Sequence, residues 1–202
     1  MIRPLSHTAY DHLLGSIISG DLAPGTMINR RSIAKDLKMS PAPVLEAMVR
    51  LQSDGFINTI QRKGTIVCNP GKEDLRAYMF LREAIECQAA RICHGKLIKD
   101  NEQELKKIAS RFSLPSKSPA DKFHLEFEFH CRLVSLAGSG KVSDFFEKAM
   151  KHILFFKMNR FHGRSDMTEY SDHMKLIDLL KTNDPDKAEK YIRLHLNSDF
   201  YV

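Results

Sequence analysis

Apolar positions in the first part of the chain follow a helical period three times and then change to a shorter one. Tyr10, Leu13, Leu14, Ile17 and Ile18 recur at the spacing of one buried helix face, and Gly20 and Pro24-Gly25 then break the run. Asn29 is placed to cap a short second helix that buries Ile33, Ala34 and Leu37, followed by a tight connection at Lys38-Met39. Ser40 is placed to cap a third helix with Pro41 at its first position, where a missing amide is tolerated. That helix turns Val44, Ala47, Met48 and Leu51 inward and ends near Gly55. Residues 56–60 and 65–68 are short β-prone stretches around Gln61-Arg62-Lys63-Gly64, which suits a hairpin with a cationic tip. Residues 1–70 therefore read as a winged helix-turn-helix, three helices and a β-hairpin wing.

Asn69-Pro70-Gly71 breaks the pattern, and everything beyond it reads as helix. Helical segments are expected over 73–95, 101–110, 119–137, 141–162, 167–181 and 185–199, with a Ser- and Pro-containing loop over 113–118. The predicted fold is thus mostly α, with a C-terminal all-α bundle of about six helices over 71–202. No internal repeat or low-complexity tract interrupts it.

Four polar residues stand out within that bundle. Glu126 and His130 lie one helical turn apart within the stripe of Phe123, Phe127, Val134 and Ala137, so a carboxylate and an imidazole point inward together. His173 and His195 flank the turn Thr182-Asn183-Asp184-Pro185 at nearly equal distances, which brings both rings to the same height on antiparallel helices. A lone histidine on an apolar face is more often a hydrogen-bonded core residue than a ligand. One carboxylate and three imidazoles converging in a core are different, because a buried Glu126 without a cationic partner is costly. This donor set suits a divalent transition metal, zinc first, with nickel, manganese and iron also compatible, and it leaves positions open for water or an effector carboxylate. His94, His124, His152 and His162 show no such convergence.

Composition adds a compartment and a weak hint of partner. The net charge of +6 favours polyanions mildly, and its density is higher over residues 1–70, where eight Lys and Arg face five Asp and Glu. Four cysteines without a Cys-x-x-Cys pair, and no basic segment leading an apolar one, predict a reduced, cytoplasmic protein. No apolar run approaches the roughly 20 residues that span a bilayer.

The chain resembles the GntR superfamily of transcriptional regulators, in the FadR-like branch with a C-terminal FCD ligand-binding domain. The resemblance rests on residues 17–25 (IISGDLAPG), residues 40–48 (SPAPVLEAM), residues 81–86 (LREAIE), Glu126-x-x-x-His130, His173 and His195. It implies a homodimer on a palindromic double-stranded DNA operator, with the helix that begins at Ser40 in the major groove. Arg31, Ser40, Lys63 and Gly64 are the DNA contacts it carries over, with Arg30 and Arg62 adding charge nearby. The family usually has Arg, Thr and Arg where this chain has Pro41, Ala42 and Leu45, which removes donors for guanine edges and phosphates. It usually has Asp where Glu126 stands. Arg82 takes the place of an arginine near the effector pocket, and a guanidinium suits a carboxylate; the alternative is an ion pair with Glu83 or Glu86 on its own helix, or with Glu126.

The expected function is accordingly a DNA-binding transcriptional regulator, a repressor, that answers a small organic acid through the metal site. A metal-dependent hydrolase or lyase carrying a DNA-binding domain is the competing reading, yet no motif supplies an acid or base beyond the ligands, so the chain is not expected to be an enzyme. A regulator with a purely structural metal is the third.

Overall fold

The structure is a computed structural model that describes residues 3–114, 119–160 and 172–198. By compactness the chain divides into two units, Met1–Asp74 with Phe155–His162, and Leu75–Leu154 with Gly163–Val202. The expected loop positions 115–118, the expected helical positions 161–162, 167–171 and 199, and His162 lie outside the described residues.

The first unit opens with α1 (Leu5–Ser19), which buries Ala9, Leu13, Leu14 and Ile17 and stops at Gly20 with φ of 88°. A left-handed residue ends a helix most cheaply when it is glycine. A two-residue strand β1 (Met27–Ile28) follows, then α2 (Arg30–Asp36) and α3 (Pro41–Ser53). Asn29 caps α2 as expected, its side-chain oxygen accepting from the Arg31 and Ser32 amides at 2.9 and 3.1 Å. Between the two helices Lys38 takes a φ of 52°, and the Met39 amide closes the turn on the Ala34 carbonyl at 2.9 Å. Ser40 departs from expectation. It occupies the cap position of α3 in extended conformation, with Pro41 next, but its hydroxyl makes no capping hydrogen bond.

The inner face of α3, formed by Val44, Ala47, Met48 and Leu51, packs on α1. Tyr10 of α1 ties down the far end, donating to Asp54 at 2.8 Å while the Arg50 guanidinium lies 4.6 Å over its ring. Strands β2 (Ile57–Ile60) and β3 (Gly64–Val67) form the hairpin, with Ile60 opposite Gly64 and Arg62 in the left-handed region at its tip. The hairpin is one part of a three-stranded antiparallel sheet, ordered β1-β3-β2. The short β1 was not anticipated, because two residues carry no periodicity and β3 alone defines them by pairing Met27 with Ile66.

Beyond residue 71 the described chain is helical. Its elements are α4 (Lys72–Cys93), α5 (Lys96–Asp100), α6 (Glu102–Ala109), a 3-10 turn at Ser110–Ser113, α7 (Pro119–Ser135), α8 (Gly140–Arg160), α9 (His173–Leu180) and α10 (Pro185–Ser198). The expected helices are present, and α5 and the 3-10 turn are additions. The sequence pattern carries α4 to residue 95, but the helix ends at Cys93, and Gly95 adopts a φ of 68° with its amide on the Leu180 carbonyl at 3.0 Å. Cys93, Ile98, Leu105, Phe129, Ile177 and Ile192 lie in one buried cluster, drawn from α4, α5, α6, α7, α9 and α10. Asp184 caps α10 through the Asp186 and Lys187 amides, with Pro185 at the first helical position. Asp172 caps α9 through the Lys175 amide. Those two caps fix where His173 and His195 stand.

Candidate functional site

Six polar side chains meet inside the second unit, all of them buried. Glu126 and His130 project from the inward stripe of α7, His173 opens α9, His195 lies in the last turn of α10, and Arg82 and Glu86 come from α4. His130, His173 and His195 each offer a ring nitrogen, and the three nitrogens lie within 4.8 Å of one another. The carboxylate of Glu126 sits against them, with Oε1 3.0 Å from His173 Nε2 and Oε2 3.3 Å from His130 Nε2. Those approaches are off-line for hydrogen bonding. Glu126 Oε1, His130 Nε2 and His173 Nε2 are all shut away from solvent without a hydrogen-bond partner.

A second layer holds these groups. Glu86 Oε2 lies 2.5 Å from His130 Nδ1, so a proton on Nδ1 leaves Nε2 with its lone pair toward the cluster. Arg82 donates from Nε to Glu86 at 2.9 Å and from an Nη to Glu126 at 3.4 Å, linking the two carboxylates. Phe112 of the 3-10 turn stacks on His173 at 4.2 Å between ring centroids, and Phe129 meets the same ring edge-on at 4.5 Å. These aromatic faces exclude water and limit how the imidazole can turn.

The electrostatics follow from this packing. Burial pushes the Glu126 carboxyl upward, but His130 and His173 outweigh it and hold the group well below the ordinary range. Burial likewise opposes ionisation of Glu86, and the charges of His130 and Arg82 bring it down. His130 is raised because Glu86 overcomes the opposing effect of burial. His195 is lowered well below 6.5, by burial first and then by His130 and His173, so it presents a neutral imidazole. A neutral imidazole and an ionised carboxylate are the forms that ligate a transition metal.

Beside His195 a surface cleft of about 350 Å³ opens between α9 and α10, with Asp172, Lys175 and Tyr191 among its lining residues. Arg82 itself is 1% exposed, so any anion reaching it must enter the core. In the first unit Arg30, Arg31, Ser40, Arg62, Lys63 and Gly64 are all exposed, on α2, before α3 and at the hairpin tip. His94 bonds the Thr182 carbonyl at 3.2 Å, His124 is exposed, and His152 stacks on Tyr78, all away from the cluster.

Phe112 was not anticipated, and Glu86 was expected only as an ion-pair partner of Arg82, a pairing that is present at 2.9 Å, and not as a partner of His130. Glu86 did carry a signal. Met79, Arg82, Glu86, Ala89, Ala90 and Cys93 recur at helical spacing, so two charged residues fall on an otherwise apolar stripe of α4. Phe112 had none, standing in a short turn outside any periodic segment.

Residues 5–67 match the gntR family of bacterial regulatory proteins, and residues 78–198 match the FCD domain. The chain belongs to the GntR family of regulators, with an FCD domain. Full-length relatives agree. The GntR protein is 25% identical over 197 residues to the HTH-type transcriptional repressor RspR of Escherichia coli (strain K12), covering 96% of this chain and 86% of RspR. It is 25% identical over 188 residues to the Nta operon transcriptional regulator of Aminobacter aminovorans, covering 91% and 87%. Among solved structures, E. coli McbR/YncC aligns with a TM-score of 0.71 at 16% identity over 98% of this chain and 96% of that one. A GntR transcriptional regulator from Rhodococcus sp. RHA1 aligns with the same score at 20% identity over 95% and 93%. This GntR regulator therefore has relatives that control transcription rather than catalyse reactions. Among its described residues no helix is long and apolar enough to cross a membrane.

Proposed function

We propose that this regulator is a repressor that binds a palindromic operator as a homodimer and answers a small organic acid through a divalent transition metal held by Glu126, His130, His173 and His195. One observation carries the reading: three buried ligand atoms, Glu126 Oε1, His130 Nε2 and His173 Nε2, converge without a hydrogen-bond partner. Leaving such atoms unmatched costs about 1–3 kcal/mol each, and one cation resolves all of them. Three nitrogens and a carboxylate oxygen favour zinc, with nickel, manganese and iron as competitors. Glu126 is one methylene longer than the aspartate usual in the family, and its two oxygens reach both His130 and His173.

Glu126, His130, His173 and His195 would hold the cation, which would supply a Lewis acid able to attract a carboxylate. The cleft beside His195 offers that carboxylate an approach, and Arg82 offers a guanidinium to steady it. On this reading residues 1–70 hold the operator, through Arg30, Arg31, Ser40, Arg62, Lys63 and Gly64, and residues 71–202 hold metal and effector. Phe80 and Phe145, 71% and 72% exposed, give the second unit apolar surface that a second copy of the chain can cover. Repression is the activity in the name of RspR, which this chain resembles along nearly its whole length.

Elemental analysis of the purified protein, followed by chelation and a thermal-shift panel of small carboxylates on metal-loaded and metal-free protein, tests the reading. Near-stoichiometric metal, a chelator-induced fall in Tm, and carboxylate shifts confined to the loaded form are expected. Metal content no higher than in a His173→Ala, His195→Ala variant, with chelator leaving Tm untouched, refutes the metal-based mechanism.

A further inference from the structure

The outward face of α3 is unlike the inward one in an unexpected direction, because it too is largely apolar. Ala42, Leu45, Glu46 and Val49 share that face at helical spacing, and all four are exposed, Leu45 to 46% and Val49 to 61%. The one cation of the helix, Arg50, is held over the Tyr10 ring of α1. Pro41, at the start, has no amide to donate. In a helix-turn-helix the second helix enters the major groove, where a guanine is read by an arginine or lysine fork and an adenine by an asparagine or glutamine. From Pro41 to Val49 the outward face of α3 carries none of these, and Gln52, exposed in the last turn, accepts from the Thr59 hydroxyl of the hairpin at 2.6 Å.

Its neighbours nevertheless provide for a duplex. Exposed Arg30 and Arg31 lie on the helix just before α3, and exposed Arg62 and Lys63 at the hairpin tip just after it, suited to phosphates that fix register without reading sequence. An apolar helix face placed between such cations meets one complementary feature in the major groove, the C5-methyl group of thymine. Glu46, on the same face, repels the acceptors N7 and O6 of guanine and accepts from an amino group of cytosine or adenine.

We propose that this regulator reads its operator through thymine methyl groups, with Ala42, Leu45 and Val49 as the contacting residues and Glu46 excluding guanine beside them. The proposal rests on the GntR reading of the first unit and goes beyond it by naming the chemistry of the operator. Phosphate contacts from α2 and the hairpin supply most of the affinity, and the methyl groups supply the sequence preference.

The test begins with selection of bound duplexes by the full-length protein from a random pool at low salt, followed by titration of the selected duplex. Each contacted thymine is then replaced by deoxyuridine, which removes the methyl alone. Loss of one methyl weakens binding about fourfold with no change in salt dependence. In Leu45→Ala and Val49→Ala, both at exposed positions and expected to melt as the parent does, the deoxyuridine effect at the matching position disappears, and Glu46→Gln admits guanine there. Selected duplexes that bind wild type with salt-dependent affinity yet ignore deoxyuridine overturn the methyl reading and leave the GntR reading standing. So does unchanged sequence preference in Leu45→Ala and Val49→Ala, the outcome expected if this face docks a protein instead. Failure to bind any duplex at low salt overturns both readings together.

Discussion

Glu86 decides what His130 can do. With its carboxylate 2.5 Å from Nδ1, it fixes the tautomer that frees Nε2, and it is the only carboxylate that the described structure gives to that nitrogen. Glu86→Gln keeps nearly the same volume but loses the charge that orients and strengthens the imidazole. Metal affinity, measured by competition with a chromogenic chelator, should fall roughly 10- to 100-fold. Equal affinity in variant and parent would remove Glu86 from the site. His195 predicts a pH effect of definite sign in the metal-free protein. Its folded-state pKa lies well below 6.5, because burial and the neighbouring His130 and His173 disfavour its charge, so on acidification the unfolded chain takes up the proton first. His195 therefore contributes a loss of stability as pH falls below about 6.5. His130, raised by Glu86, has the opposite sign, contributing stability at low pH that is lost as pH rises through its folded value. Melting curves of metal-free parent and His195→Leu between pH 7.5 and 5 separate the two. The parent should lose ground to the variant as pH drops, and a constant difference would mean that His195 is not held neutral. The paired spacings of Glu126 with His130 and of His173 with His195 were legible in the sequence because helical geometry alone generates them. The contact of Glu86 with His130 was not, since 44 residues separate the partners and only packing joins them.

At the scale of elements, two glycines predict opposite outcomes. Gly15 sits in α1, exposed, with nothing within 4 Å of an added Cβ, so Gly15→Ala should raise stability by up to about 1 kcal/mol. Gly95 has a φ of 68°, and an added Cβ would lie 3.0 Å from Asn183 Oδ1 and 3.2 Å from the Thr182 carbonyl. Gly95→Ala should lower stability by about 1–3 kcal/mol, from backbone strain and crowding together. Denaturant midpoints of the two variants check both signs, and an unchanged midpoint for Gly95→Ala would show that the turn yields without effort. The long helices were readable because each carries several turns of one period. The sequence offered no comparable handle on α5, five residues long, or on β1, two residues long, since both exist through what they pack or pair with. Ser40 illustrates a different limit. Its residue type and the following proline marked where α3 begins, but the position is set by the backbone, and the hydroxyl takes no part.

Across the whole chain the charge is modest, +6 over 202 residues, so affinity for DNA must come from where the cations stand. Arg31→Ala and Lys63→Ala each remove one exposed cation and should reduce the salt slope of duplex binding by about one counterion, leaving sequence preference intact. Slopes identical to the parent in both variants would displace the docking surface from α2 and the hairpin.

Arg82 holds Glu86 through one nitrogen and Glu126 through another, and so stands between the acid beside His130 and the acid proposed to ligate a metal. An anion that draws on this guanidinium must loosen its hold on at least one of them. Anion arrival is then an exchange of partners rather than the filling of a vacancy, and its free energy depends on how firmly Glu126 is engaged elsewhere. Under the proposed function, a cation that captured Glu126 would release part of Arg82 for the newcomer. By reciprocity the newcomer would then tighten the cation to the same degree, so on that proposal this one side chain would be enough to make each guest's affinity a function of the other's concentration.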